Sequence, residues 1–499
     1  MSTQDTLELF RKALAVPDDT LAKSISTATG LVAYDLQAPA KNLYPVVTPI
    51  RNRLPRVGGG TGTATNWRQV NAIIGSGYDA MGWVPEGQRS AQMSYSTSNK
   101  SASYVTIGEE DAATYEAISA GRGFEDIQVR MTFRLLQKMM LKEEMAILAG
   151  NAGGSNGGIS LGTPATPTLS ASGSGATLPA ATYSVIVVAL TLEGYQNSSL
   201  SGGVATSQSI TGADGKSYTL SGGSSNKSSN ATQAVTLGQT LFASTTAIQG
   251  AVAYAWYVGI AGSETLQAIT TINSAAFSTA LAGSRQAATA ITADNSGNAT
   301  AYNGLLTTAL ASGSNAYVNV LATGTAGTGT PLTASGRGSV NEIDTMLETM
   351  WQNFELSPTV LYVNAQELKN ITTKVLSNAS GPLLRYDSPA EGGDGYTITA
   401  SGTVAYYYNP FAIDGGLRIP IRIHPRVPPG TILGWAENLP IQYQSNEVPN
   451  VAEIKTRQDY YQIDWPIVTR QRQVGVYAEE CLAIYAPFAM GVICNVGNG

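Results

Sequence analysis

Catalysis needs a nucleophile, an acid–base pair or a set of ligands, and this 499-residue chain offers few of any. Its single histidine, His424, lies in "RIHPRVPPG". One histidine excludes multi-histidine metal sites and leaves a single partner for any Ser–His or Cys–His pair. Flanked by Pro425 and by arginines in an extended segment, it reads as structural. The two cysteines, Cys481 and Cys494, have no histidine or basic residue beside them. They read as core thiols, and two are too few for a disulfide framework. Carboxylates cluster at Glu109-Glu110-Asp111, Glu143-Glu144 and Glu479-Glu480. The last pair sits in a strand pattern, where successive side chains point to opposite faces. Glu143-Glu144 closes a helix pattern, against the helix dipole, so a solvated face is expected unless partner cations stand nearby. Glu109–Asp111 reads as capping or preceding a helix. None forms an acid–base pair.

Two glycine-rich stretches invite a phosphate. "GADGKS" at 212–217 lacks the first glycine of a phosphate loop, since Ile210 stands there, and "YTL" after it is strand-like rather than helical. It reads as a hairpin around Asp214-Gly215. "GGGTGT" at 58–63 has no amphipathic helix behind it and reads as a turn between extended arms. The chain is therefore expected not to be an enzyme. No catalytic, cofactor-binding or metal-ligating residue is assigned, and no cofactor.

Stepping outward from these residues, the strongest element is a helix over 129–151, "VRMTFRLLQKMMLKEEMAILAGN". Arg130, Arg134, Lys138 and Lys142 recur every fourth residue. Beside them run two apolar rows, one of Ile127, Met131, Leu135 and Met139, the other of Val129, Phe133, Leu136 and Met140. The second row is expected to face the core. A shorter N-terminal helix carries Leu7, Phe10 and Leu14 and stops before Pro17. A third helix starts at Ser339, with Glu342 completing a capping box, and buries Ile343, Leu347, Met350 and Phe354. "TVLYV" is a strand, and Asn364 caps a helix with Leu368, Ile371 and Val375 inward.

Charge divides the chain. Only 13% of residues are charged overall, and between Asn151 and Thr330 the charged residues are Glu193, Asp214, Lys216, Lys227, Glu264, Arg285 and Asp294 alone. That block reads as an antiparallel β module: "ATYSVIVVALT", "AVAYAWYVGIAG" and "LQAITTINSAAF" are β-branched or aromatic runs bounded by Gly, Ser and Asn. The flanking blocks read as α+β. The net charge of −6, without a Lys/Arg block, gives no support for a sequence reader of nucleic acid. The start, "MSTQDTLELFRKALAVPDD", lacks a basic n-region and an apolar h-region. The longest apolar run, "YSVIVVALTL", is half a membrane span. A soluble, cytosol-made chain is expected.

The sequence resembles the major capsid proteins of tailed bacteriophages with the Hong Kong 97 type fold. "YPVVTPIRNRLPRVGGGTGTATNWRQV" is similar to that family's N-terminal arm and extended loop, and 123–150 to its long spine helix. "VNEIDTMLETMWQNFELSPTVLYVNAQELKNI" resembles its peripheral domain. "GGLRIPIRIHPRVPPGTILGWAENLPIQYQSNEV" through "VGVYAEECLAIYAPFAMGVICNV" resembles its closing part. The resemblance implies an α+β capsid fold with an all-β immunoglobulin-like sandwich inserted after the spine helix. It divides the chain into an arm (1–43), an extended-loop region (44–110), spine helix and peripheral domain (111–151), insert (152–301), peripheral domain (302–375), axial domain (376–475) and returning C-terminal strand (476–499).

The function so implied is self-assembly, as hexamers and pentamers, into an icosahedral head. The head encloses double-stranded DNA held non-specifically, and the insert stands on its outer surface. The chain would be made in the host bacterial cytoplasm and end in the virion, away from any membrane. A separate scaffolding protein, a portal and a decoration protein are the partners implied. Lys100 lies in the loop region, but no match exists for the catalyst and partner of the family's isopeptide cross-link, so that chemistry is not carried over. An encapsulin-like compartment shell, an extracellular adhesin or surface-layer protein, and a glycan-active enzyme with a β module remain as alternatives.

Overall fold

The computed structural model describes residues 45–75, 81–122, 126–335, 338–377, 385–387, 397–399, 404–411, 416–440 and 450–498. The expected N-terminal helix, with Leu7, Phe10 and Leu14, lies outside them, as do residues 123–125 before the long helix.

Helices and mainly antiparallel sheets are both present. The long helix spans Ile127–Ala149, and Asp126 caps it by accepting from the backbone N–H groups of Gln128 and Val129. It lies against a four-stranded sheet in the order Arg56–Val57, Ala452–Asp464, Gln471–Ile484, Val105–Thr114. Met131, Leu135 and Met139 pack there on Ala113, Val474, Val476 and Ala478. This reverses the expected facing: Val129, Phe133 and Leu136 are exposed. Glu109, Glu110 and Asp111 lie inside the strand Val105–Thr114, in register with Val476, Gly475 and Val474; they precede the short helix Tyr115–Ala120 but do not cap it, a role taken by Thr114.

A six-stranded sheet runs in the order Tyr317–Val320, Met490–Cys494, Ile432–Trp435, Val360–Val363, Leu417–Ile423, Tyr406–Asn409. The helices Asn341–Phe354 and Ala365–Ser377 cover it. Ile343, Leu347 and Met350 are buried as expected, and Asn364 accepts from the Gln366 N–H. The capping box at Ser339 does not form. Ser339 donates to Asp344 and Glu342 accepts from the Thr333 N–H, so both side chains are engaged elsewhere.

Between the long helix and residue 302, two antiparallel sheets face each other. One orders Ser274–Phe277, Thr240–Ser244, Thr168–Ser172, and the other Thr265–Thr270, Ala253–Gly259, Ala181–Leu190, Ala231–Val235. The hairpin Ser207–Thr211 with Ser217–Ser221 turns through Asp214-Gly215, with Gly215 at φ 78°. The unbroken apolar run Val185–Leu190 within the strand Ala181–Leu190 has a physical cause. Val185, Val187 and Ala189 enter the core between the sheets, while Ile186, Val188 and Leu190 pack outward beneath Val204, Ala288 and Ile291. The strand is buried on both faces.

The glycine-rich junction "GNAGGSNGG" is sewn shut. The buried Asn151 amide donates to the Ile159 and Ser296 carbonyls (2.9 and 2.6 Å) and accepts from the Gly153 and Ile159 N–H groups. Asn303 accepts from the Ala152 N–H at 2.9 Å. Farther off, Asn273 and Asn495 exchange hydrogen bonds between sandwich and body. One contiguous core joins Trp256 and Leu241 of the sandwich to Tyr302, Leu305 and Trp435 of the body.

Candidate functional site: a buried ionic junction and two uncovered apolar surfaces

The long helix ends in "MAILAG", buried nearly all round, and Glu143 and Glu144 are carried in with it at 1% exposure each. A buried carboxylate must be paired. Glu144 accepts from the backbone N–H of Ile50 (3.1 Å) and of Arg51 (2.7 Å). His424 lies 2.6 Å from Glu144 through Nε2, while its Nδ1 accepts the Arg426 N–H, so the ring presents its Nε2–H to the carboxylate. The histidine is fully buried and holds one acid in place. Glu143 accepts from Arg51 Nε (2.5 Å), from Arg56 and from the Tyr460 hydroxyl. Arg56 reaches on to Asp459 at 2.6 Å and Glu480 at 3.3 Å, and Tyr302 donates to Glu480 at 3.1 Å.

The electrostatics follow the geometry. Burial works to lower Arg56, but the hydrogen bond to Asp459 and the charge of Glu143 outweigh it, and the guanidinium is held above its usual value. Burial raises Glu480, and Glu143 beside it raises it further, so its carboxyl is pushed up to about 8 despite Arg56 and Tyr302. Tyr302 and Tyr460 are pushed up by burial and then by these carboxylates.

The expectation of a solvated Glu143-Glu144 is therefore overturned; the partner cations are present, within the same chain. Sequence reading missed Arg51, Arg56, Tyr302, Asp459 and Tyr460. The available signal was the apolar run after Glu144, which buries both acids. Glu479 and Glu480 do point to opposite faces: Glu479 pairs with Arg457 on the outer side. Cys481 and Cys494 are buried free thiols, pushed by burial up to about 11 and 12. "GGGTGT" is irregular backbone with a bend at 62–63, between the strands Arg56–Val57 and Ala64–Ile74, and a Cβ on Gly60 would collide with the Tyr104 ring. Clefts of about 480 and 400 Å³ open elsewhere, beside Tyr195 and Pro428 and beside Thr245 and Asn273, and no carboxylate, histidine or cysteine lines either.

Two surfaces are uncovered. Ala64–Ile74 and Ser94–Ser103 form a two-stranded ribbon fixed at its base, where Trp67 packs edge-on against Tyr485 and Thr65 bonds Tyr104. Away from the base it exposes Val70, Ile73, Met81, Trp83, Met93 and Tyr95, with Trp83 at 92%. The second surface is the outer row of the long helix, Val129, Phe133 and Leu136, flanked by exposed Arg134 and Lys138.

No family model and no curated protein matches the chain. Solved structures similar to it include the capsid of a native GTA particle, at 9% identity and TM-score 0.44 over 95% of this chain and 100% of that one. Others are the capsid of the cyanophage P-SCSP1u, at 6% and 0.41 over 97% and 98%, and the holo-SrpI encapsulin complex from Synechococcus elongatus PCC 7942, at 10% and 0.39 over 94% and 95%.

Proposed function

We propose that the chain is a structural shell subunit, the major capsid protein of a tailed bacteriophage, and not an enzyme. The observation that carries this reading is the ribbon. A two-stranded ribbon is marginal alone in water, and this one holds large apolar side chains out to solvent. Such a surface needs a protein partner. A neighbouring copy supplies it in a closed shell, where every subunit offers and receives the same contact.

In this reading the ribbon is the extended loop and Ile127–Ala149 the spine helix. The two-sheet unit within 152–301 is an immunoglobulin-like insertion on the outer surface. Hexamers and pentamers enclose DNA without reading its sequence.

The test is sedimentation and electron microscopy of the purified chain beside Trp83→Ser. The native chain forms rings or closed shells, and the variant, unchanged in melting, stays unassembled. A stable native monomer at high concentration overturns the reading. Shells that protect no nucleic acid when made beside a packaging motor turn it toward an encapsulin-like compartment.

A further inference from the structure

A third face of the chain is open, aromatic and basic rather than apolar. The six-stranded sheet ends in the strands Leu417–Ile423 and Tyr406–Asn409, the latter at its edge. Side chains alternate across a strand. Tyr407, Ile419 and Ile421 turn to the helix-covered side and are buried there. Tyr406, Tyr408, Arg418, Pro420 and Arg422 therefore share the opposite side. Toward the middle of the sheet that side is buried, at Val360 and Tyr362. At the edge it is open: Tyr406 is 63% and Tyr408 59% exposed, Arg418 is exposed and Arg422 half-buried. Register sets Tyr408 beside Arg418 and Tyr406 beside Pro420, with Arg422 two residues farther along.

The geometry points to a sequence-independent binding face for an unpaired strand of nucleic acid, with the two tyrosine rings stacked on bases and the two guanidiniums on phosphates. Rings on a sheet beside arginines supply both halves of that recognition. Every base offers a π-face, and each phosphate carries the charge that a guanidinium matches. Charge favours an anion here. Neither strand contains an Asp or Glu, and Arg418 and Arg422 form no ion pair among the described residues. Spacing decides between duplex and single strand. Tyr406 and Tyr408 stand two residues apart, which is about 6.7 Å along a strand. Bases in a duplex rise by about 3.4 Å and keep their faces inside the stack. The rings thus match bases spread to twice the duplex rise. Arg418 and Arg422, four residues apart, span about 13 Å and bracket both rings. Two guanidiniums give a weak, salt-sensitive grip, in keeping with a chain of net charge −6. Every group involved belongs to one chain, so the face does not require shell formation.

The experiment is fluorescence anisotropy on unassembled full-length protein at low salt, with a labelled oligo(dT) and a labelled duplex of equal length. Oligo(dT) binds, and more tightly than the duplex. Replacing Tyr406→Ala and Tyr408→Ala together weakens oligo(dT) binding by about tenfold or more for each ring. Arg418→Gln lowers the slope of log affinity against log salt by about 0.7, the share of one phosphate on a single strand. The replaced side chains are exposed, so melting stays at the native value. The proposal is overturned by a native chain that binds no oligo(dT), or by a duplex that binds as tightly. It is equally overturned by an affinity that survives the tyrosine replacements, or a salt slope that survives Arg418→Gln. Tyrosine variants that break up subunit assemblies while oligo(dT) affinity stays put would assign the face to a second copy instead. Should the double tyrosine variant fail to fold, Arg418→Gln decides alone through the salt slope.

Discussion

The long helix allows folding and association to be separated by two substitutions six residues apart. Met139 is 1% exposed and packs among Val474, Val476 and Ala113, so Met139→Ala removes buried methylenes and leaves a cavity. The expected cost is about 2–5 kcal/mol. Phe133 is 55% exposed. Its replacement by Ala should change subunit stability by no more than about 0.5 kcal/mol, where a buried phenylalanine would cost about 3–5 kcal/mol. With a urea slope of about 2–3 kcal/mol/M for the unit that holds the helix, a loss of about 3 kcal/mol moves the midpoint by about 1 M. The assay is urea unfolding of unassembled subunit, followed by circular dichroism. Sedimentation supplies the second readout: if another copy covers Phe133, burying that ring contributes about 1.5–3 kcal/mol at each contact, and Phe133→Ala weakens assembly while the urea midpoint stays put. A midpoint drop of 1 M in Phe133→Ala, or none in Met139→Ala, refutes the facing described above.

The ionic junction and the stitched sandwich make further expectations. Glu143→Ala leaves Arg51 without an acidic partner beside a hydrophobic helix end, while Arg56 keeps Asp459 and Glu480, and should cost about 3–5 kcal/mol, whereas Glu479→Ala, which removes a partly exposed pair with Arg457, should cost about 1 kcal/mol or less. Equal urea midpoints for the two variants would show that the junction is not buried in solution. Asn151→Ala leaves the Ile159 N–H and the Ser296 carbonyl without their partner and should lower stability by about 2–4 kcal/mol. The loss should appear in calorimetry as the sandwich melting earlier than the body; an unchanged thermogram would mean that water replaces the amide.

What could be read from the sequence was what a single segment decides. The β-branched and aromatic runs became strands, Asp214-Gly215 became a hairpin turn, and the periodicity of 129–151 became a helix, because each follows from local backbone preference and patterning. What failed depends on a second segment. The long helix carries two apolar rows, and periodicity cannot say which one meets Val474 and Val476. Both rows are apolar enough to be buried, so only the sheet packed against one of them decides. Ser339 and Glu342 had the spacing of a capping box, but Asp344 and the Thr333 N–H competed for them. Three consecutive acids at Glu109–Asp111 argue against a strand by composition, yet ten paired positions with Gln471–Glu480 outweigh that preference.

The junction shows the same limit more sharply. Its members are up to 430 residues apart, from Glu480 back to residue 50, and none carries a motif. Read one at a time, Glu143 is a misplaced charge, Arg56 an arm residue, Tyr302 part of a linker and Glu480 half of an exposed-looking pair. Only burial joins them, and burial is what gives the cluster its chemistry. In water, two arginines among three carboxylates would be an ordinary screened surface. Here Glu143 and Glu480 are buried at 1% and 0% exposure, so the guanidiniums of Arg51 and Arg56 must stand in for the water they have lost. The fold thereby fastens residues 50–56 to the end of its long helix through side chains that the sequence gives no reason to single out.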